Sequence, residues 1–213
     1  MTRKILALAV ICMAVGSFAI SARAQATDSL VSAVRVEVSG EGAIGKDKIE
    51  SGVPFNMDVY ASNGSKRSGF TLGFQFTGKD GLKSVVHIFD KDADSASYHL
   101  SSISAYNGFE DRSIWDLGGL QRRVDSWDGN LPDSALVGGI CMNNVWGVTT
   151  EKKYFSFEMI AVGAGTLCID SAYIPPGGAW MFAPGSNPSW EGPYCFEVVA
   201  KEKAEKAKPD SAK

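Results

Sequence analysis

Histidine is nearly absent from this chain: 213 residues include two, His87 and His99. No His-Glu-x-x-His, Cys-x-x-Cys or Gly-x-Ser-x-Gly occurs, so zinc hydrolysis, dithiol exchange and the serine elbow of α/β-hydrolases lack the spacings they need. A triad drawn from distant residues depends on geometry and not on spacing, and a carboxylate pair for glycoside cleavage can be imagined among 24 acidic residues. Nothing in the sequence singles either out. Both histidines read as ordinary strand residues, no catalytic residue is assigned, and the expectation is a protein that is not an enzyme. Also missing is a sustained 3.6-residue apolar repeat, which argues against a helical fold. No internal repeat is evident, so propellers and solenoids are unsupported. Basic residues do not gather into the patch that neutralises phosphates, which argues against a nucleic-acid partner.

The start of the chain reads as a secretory signal. Arg3 and Lys4 form a positive head, Ile5 to Ile20 is almost wholly apolar, and Ala24-Gln25-Ala26 offers small residues for cleavage. Residues 1–26 are assigned to the signal peptide. An uncleaved run of this length could just cross a bilayer, but the small-residue ending points to cleavage, leaving no stable membrane span. Cys12 is preceded by Ile11 where a lipoprotein signal needs a small residue. Removing Arg3, Lys4 and Arg23 from 21 basic residues leaves 18 against 24 acidic ones, a formal charge of −6. Residues 201–213, KEKAEKAKPDSAK, have five lysines and no aromatic or branched apolar residue. Such a stretch cannot bury enough surface to offset its ordering entropy, and it reads as a Lys-rich disordered tail; a tether to an anionic surface is the minor reading. Between them, residues 27–200 suffice for one domain with a proper core. The expected location is secreted or extracellular, including the periplasm or cell surface.

Strand periodicity fills that domain. Val34, Val36 and Val38 alternate with Arg35 and Glu37; Val53, Phe55, Met57 and Val59 alternate with Asn56 and Asp58; Phe70, Leu72, Phe74 and Phe76 form the clearest stripe. Gly40-Glu41-Gly42, Asn63-Gly64-Ser65 and Gly78-Lys79-Asp80-Gly81 are turn signals between them. Further strands are expected over 82–89, 98–103, 135–148, 154–161, 166–174 and 194–199. Residues 107–132 show no clean period and read as a long irregular excursion, with one short element near 114–120. The fold class that follows is all-β, an antiparallel two-sheet sandwich of the Ig-like or jelly-roll kind.

Three cysteines remain in the exported domain. Cys168 and Cys195 sit in strands flanking one loop and are the preferred disulfide, which leaves Cys141 as a buried free thiol. A pair that uses Cys141 stays open at this level. The loop they would close carries Pro175-Pro176-Gly177-Gly178, suited to a type II turn, and Trp180 and Trp190, expected to pack the loop onto the sandwich.

The order VPFNMDVYASNGS, GFTLGFQFTGKDGLKSV, YFSFEMIAVGAGTLCIDSA resembles the early and late strands of cohesin-like β-sandwich modules. The ending CIDSAYIPPGGAWMF and PSWEGPYCF also looks like a recurring ending in uncharacterised secreted bacterial proteins. The cohesin resemblance implies a jelly-roll sandwich that holds a protein partner on a sheet face and catalyses nothing. Residues 105–133 and the cysteines depart from the cohesin pattern, and no binding residue is carried over.

Two constellations remain. Asp90, Asp92 and Asp94 place three carboxylates at alternate positions, the opening of a calcium loop. Ser95 stands where the turn wants glycine and Ser101 where a bidentate glutamate should close the shell, so an exposed acidic turn is preferred and calcium is the minor alternative. No other cofactor is implied. Trp115 and Trp127, flanked by Asp116 and Asp128, are the candidate ligand-binding residues: an indole face stacks on sugar while carboxylates take hydroxyls. The functional expectation is a secreted interaction or structural module meeting an extracellular protein or assembly, with a carbohydrate-binding module as the alternative and a polysaccharide as its partner.

Overall fold

The computed structural model describes residues 30–87, 103–109, 121–125, 130–141, 145–173 and 180–201. Over these, the chain forms two β-sheets and no helix. The strands are β1 (Ala33–Ser39), β2 (Ala43–Gly45), β3 (Lys48–Glu50), β4 (Pro54–Asn63), β5 (Gly69–Lys79), β6 (Ser84–His87) and β7 (Ile103–Ala105). They continue as β8 (Gln121–Asp125), β9 (Asp133–Ile140), β10 (Thr149–Val162), β11 (Gly165–Ser171), β12 (Met181–Ala183), β13 (Ser189–Trp190) and β14 (Tyr194–Val199). One sheet runs β13-β1-β4-β10-β6, with β7 also on β10; the other runs β2-β3-β14-β11-β5-β9-β8, with β12 on β5.

The apolar halves of the alternating runs face each other between the sheets. Val34, Val36, Phe55, Met57, Val59, Phe155, Phe157 and Met159 come from the first sheet. Phe70, Leu72, Phe74, Phe76, Val137, Leu167, Ile169 and Phe196 come from the second, and all join one core. Ring pairs bridge the layers: Phe70 lies 5.4 Å from Phe155 and Phe74 lies 5.8 Å from Phe157, centroid to centroid. Burying each such ring is worth roughly 1.5–3 kcal/mol, so the stripes alone dictate a two-layer fold.

The sandwich is antiparallel in most of its ladders, as the sequence predicts, but two pairings are parallel: β1 with β13 and β3 with β14. Both join short strands to partners far away in sequence. The strand expected over 135–148 ends at Ile140, and the one expected from 82 is described as Ser84–His87. The short element near 114–120, the turn at Pro175 to Gly178, the signal segment, His99 and the tail beyond 201 lie outside the described residues.

Cys168 and Cys195 are bonded. They sit directly opposite each other on β11 and β14, pointing away from the core, because Leu167, Ile169 and Phe196 occupy its side. The bond therefore fixes the register of two neighbouring strands. Cys141 is free and buried.

Trp180 and Trp190 close the side of the sandwich. Trp180 Nε1 donates to Pro188 O (3.0 Å) and Trp190 Nε1 to Asp170 Oδ1 (2.8 Å). Their rings meet at 5.1 Å and flank Phe74 at 5.6 and 6.2 Å, with Tyr194 4.8 Å beyond Trp190. These indoles fill space and satisfy their own donors, as expected of aromatics in a packed loop.

Candidate functional site

Strand alternation that buries one face of β1, β4 and β10 leaves the other face polar, and register decides which polar groups meet. Arg35 pairs with Tyr60, and Tyr60 with Lys153 across the next ladder. Along the next row stand Glu37, Asp58, Ser156 and Ser104. The first row alternates cation and ring: the Arg35 guanidinium lies 4.2 Å from the centre of Tyr60, and Lys153 Nζ lies 4.4 Å from the centre of Tyr106.

Carboxylates hold the cations in place. Arg35 donates to both oxygens of Glu151 at 2.8 and 2.7 Å and also to Glu37. Hydrogen bonds to Glu151 are the largest influence keeping that guanidinium more firmly protonated than usual; burial opposes them, and Glu37 adds to them. Lys153 Nζ lies 3.6 Å from Asp58 Oδ2, while Ser156 Oγ donates to Asp58 Oδ1. Asp58 is 3% exposed, so a carboxylate is buried on the outer side of a central strand. Its two partners make that tolerable, since an unpaired buried charge costs several kcal/mol. The Arg35 bridges, being about one-third exposed, stabilise the fold by roughly 1 kcal/mol or less. Their effect is to fix orientation.

Tyr106 reaches the face through a turn. Asn107 and Gly108 both adopt positive φ, 55° and 96°, the left-handed pair that Asn-Gly favours. Asn107 Nδ2 donates to Lys153 O at 2.7 Å. The turn then drops Phe109 into the core, tilted against Tyr154 at 4.2 Å and stacked on Phe70 at 5.4 Å. An irregularity in the register between Lys153 and Phe155 lets both Tyr154 and Phe155 bury themselves, as a bulge does. The sequence reading missed Tyr106, Phe109 and Tyr154 as a unit; the Asn-Gly pair was the signal available.

Burial, then the Glu37 and Asp58 carboxylates, pushes the Tyr60 phenol above its ordinary range. The folded state thus holds that proton more tightly than the unfolded chain. The resulting stability is fully present below about pH 10 and is lost as pH rises through the raised folded value. Phenolate absorbance during alkaline titration should show a step in the wild type that Tyr60→Phe removes. A titration identical in both proteins would refute the assignment.

A second charged surface is a shallow groove of about 410 Å³ lined by Asp80, Thr166, Glu197 and neighbours. Thr166 Oγ1 donates to Asp80 at 2.8 Å and Lys48 pairs with Glu197 at 2.8 Å, so both carboxylates are engaged within the fold.

Trp115, Trp127, Asp116 and Asp128, the candidate ligand-binding residues, lie outside the described residues, as do the candidate calcium ligands Asp90, Asp92 and Asp94. Among the described residues no group of three or more His, Cys, Asp or Glu side chains gathers as a metal site would.

The two-layer architecture has a counterpart among solved structures. The chain is similar to a cohesin module. That module comes from a family 33 glycoside hydrolase of Clostridium perfringens; identity is 10%, the TM-score is 0.44, and the match covers 82% of this chain and 99% of the module. No family model matches the chain, and no curated protein does.

Proposed function

We propose that this chain is a non-catalytic binding module that engages a protein partner through the outer face of β1, β4, β7 and β10, in an extracellular or other oxidising compartment. The observation that carries the reading is the row Arg35, Tyr60, Lys153, Tyr106. Arginine and tyrosine are the residues that most often dominate protein interfaces. Here carboxylates on the same sheet hold the two cations over the rings, so little side-chain freedom remains to be lost on association. Each ring carries a cation on one face, so the row presents charge and aromatic surface together, a combination that suits a protein partner. The Cys168–Cys195 bond supports the choice of compartment, since such bonds persist where conditions are oxidising.

The test is retention on the immobilised domain. One or a few secreted proteins of the source organism should be retained by the wild type and lost with Arg35→Ala and Tyr60→Ala, each weakening affinity by about 2 kcal/mol or more. Retention that ignores both substitutions would refute the assignment of the face. Retarded migration in a polysaccharide gel, abolished by Trp115→Ala and Trp127→Ala, would replace the protein reading with a carbohydrate one.

A further inference from the structure

The end of the sandwich where β1 begins and β4 finishes is built from four segments, and their bonds to one another show that they form one surface. Ser62 Oγ donates to Val31 O and Gly64 N to Ser32 Oγ. Asn63 pairs with Thr149, and its Nδ2 donates to Trp146 O and Gly147 O at 3.3 and 3.0 Å. Arg67 and Trp146 exchange backbone bonds of 2.9 and 2.7 Å, Cys141 N donates to Ser68 O, and Gly69 stands opposite Ile140. Arg67 also donates through Nη1 to Pro184 O and through Nη2 to Ser186 Oγ, at 2.6 and 2.8 Å.

Two properties of this end stand together. Four branched aliphatic side chains project from it: Val31 (67% exposed), Val145 (56%), Val148 (52%) and Ile140 (44%). Its described segments, 30–32, 62–69, 140–141, 145–149 and 183–189, contain no aspartate or glutamate, and their charged residues are Lys66 and Arg67. That is unexpected in a chain with 24 acidic residues and a net charge of −3. Within these described segments no carboxylate stands beside the apolar tips and the exposed Lys66; Glu151, two residues beyond Thr149, is bound to Arg35.

We propose that this end docks on an anionic lipid surface, the valines entering the headgroup boundary while the exposed Lys66 faces the lipid charge and Arg67 ties the segments of the end together. A bilayer accepts isolated projecting side chains of this kind, because its surface deforms around them and the gain scales with the apolar area buried. Each cation near an anionic membrane adds a comparable increment. An acidic domain is repelled overall by such a surface, so the end whose described segments lack carboxylates also sets the orientation. The partner-binding face then stands roughly upright from the membrane, because the strands that carry it run away from this end.

Co-sedimentation of the whole domain with vesicles provides the test. Binding is expected to vesicles containing phosphatidylglycerol and to be much weaker with phosphatidylcholine alone. The double substitution Val145→Asp, Val148→Asp should reduce binding more than about tenfold, and Lys66→Glu at least about fivefold. Ile44→Asp and Val162→Asp, exposed at other positions, and Arg35→Ala on the sheet face should leave it unchanged, with all variants matched by thermal midpoint. The proposal is overturned if the wild type fails to sediment with phosphatidylglycerol vesicles, or if Ile44→Asp and Val162→Asp weaken binding as much as the end substitutions. Retained vesicle binding by a domain that captures no protein partner would refute the sheet-face reading and leave this one standing.

Discussion

Phe74→Ala is expected to lower the unfolding free energy by about 3–5 kcal/mol, the range for large-to-small changes at fully buried aromatics. Phe74 is fully enclosed, and its ring touches three others, Phe157 across the layers and Trp180 and Trp190 at the side. Truncation removes the surface on which both indoles rest. The thermal midpoint should fall by roughly 10 °C for a domain of this size. Tryptophan emission should shift to the red in the folded state, because two indoles lose their dry neighbour. Phe109→Ala would be similarly costly but should leave the emission of Trp180 and Trp190 as it was, since Phe109 contacts Trp146 at the other end of the core. If Phe74→Ala lowered the midpoint by no more than a degree or two, the layers would not be joined through this ring.

Loss of the Cys168–Cys195 bond comes next in size. On the chain-entropy description, a bridge spanning 27 residues removes about 3.5 kcal/mol of unfolded-state freedom. Its position adds a second expectation. Because the two cysteines face each other on strands already joined by backbone hydrogen bonds, Cys168→Ala with Cys195→Ala should leave the folded spectrum unchanged and act on the unfolded chain. Urea denaturation should therefore show a lower midpoint together with a larger slope, as the unbridged chain exposes more surface on unfolding. Equal midpoints for the oxidised and substituted proteins would mean that the bond contributes nothing to holding the domain shut.

The long strands were legible because alternation over six or more residues has one physical reading: one face meets a core and the other does not. Phe70, Leu72, Phe74 and Phe76 could hardly be placed otherwise. Strands β2, β3, β12 and β13 are two or three residues long, too short for any period to emerge, and they exist because a longer partner presents an open ladder. The parallel pairings have the same origin. At the candidate face the types were readable, with Arg35 and Glu37 plainly outward, but their companions were not. Tyr60 meets Arg35 and Lys153 through ladders between strands far apart in sequence, and Glu151 reaches Arg35 by side-chain bonds across 116 positions; alternation says which side a residue faces, never which neighbour it meets. Tyr154 was obscured for a different reason: the irregularity beside it breaks the two-residue period on which such readings rest.

Although β14 is the last of the fourteen described strands, it lies in the interior of its sheet, between β3 and β11. The ribosome delivers it after every other described strand, and until then β2 and β3, made among the first and paired with each other, have no ladder into the rest of their sheet. Until then β11 lacks one neighbour and β3 lacks the strand that joins it to the rest of the sheet, so this sheet is completed only when β14 has been made. By the same reasoning, a premature stop before Tyr194 would remove an interior strand of the sheet and leave β3 and β11 without the partner that stands between them.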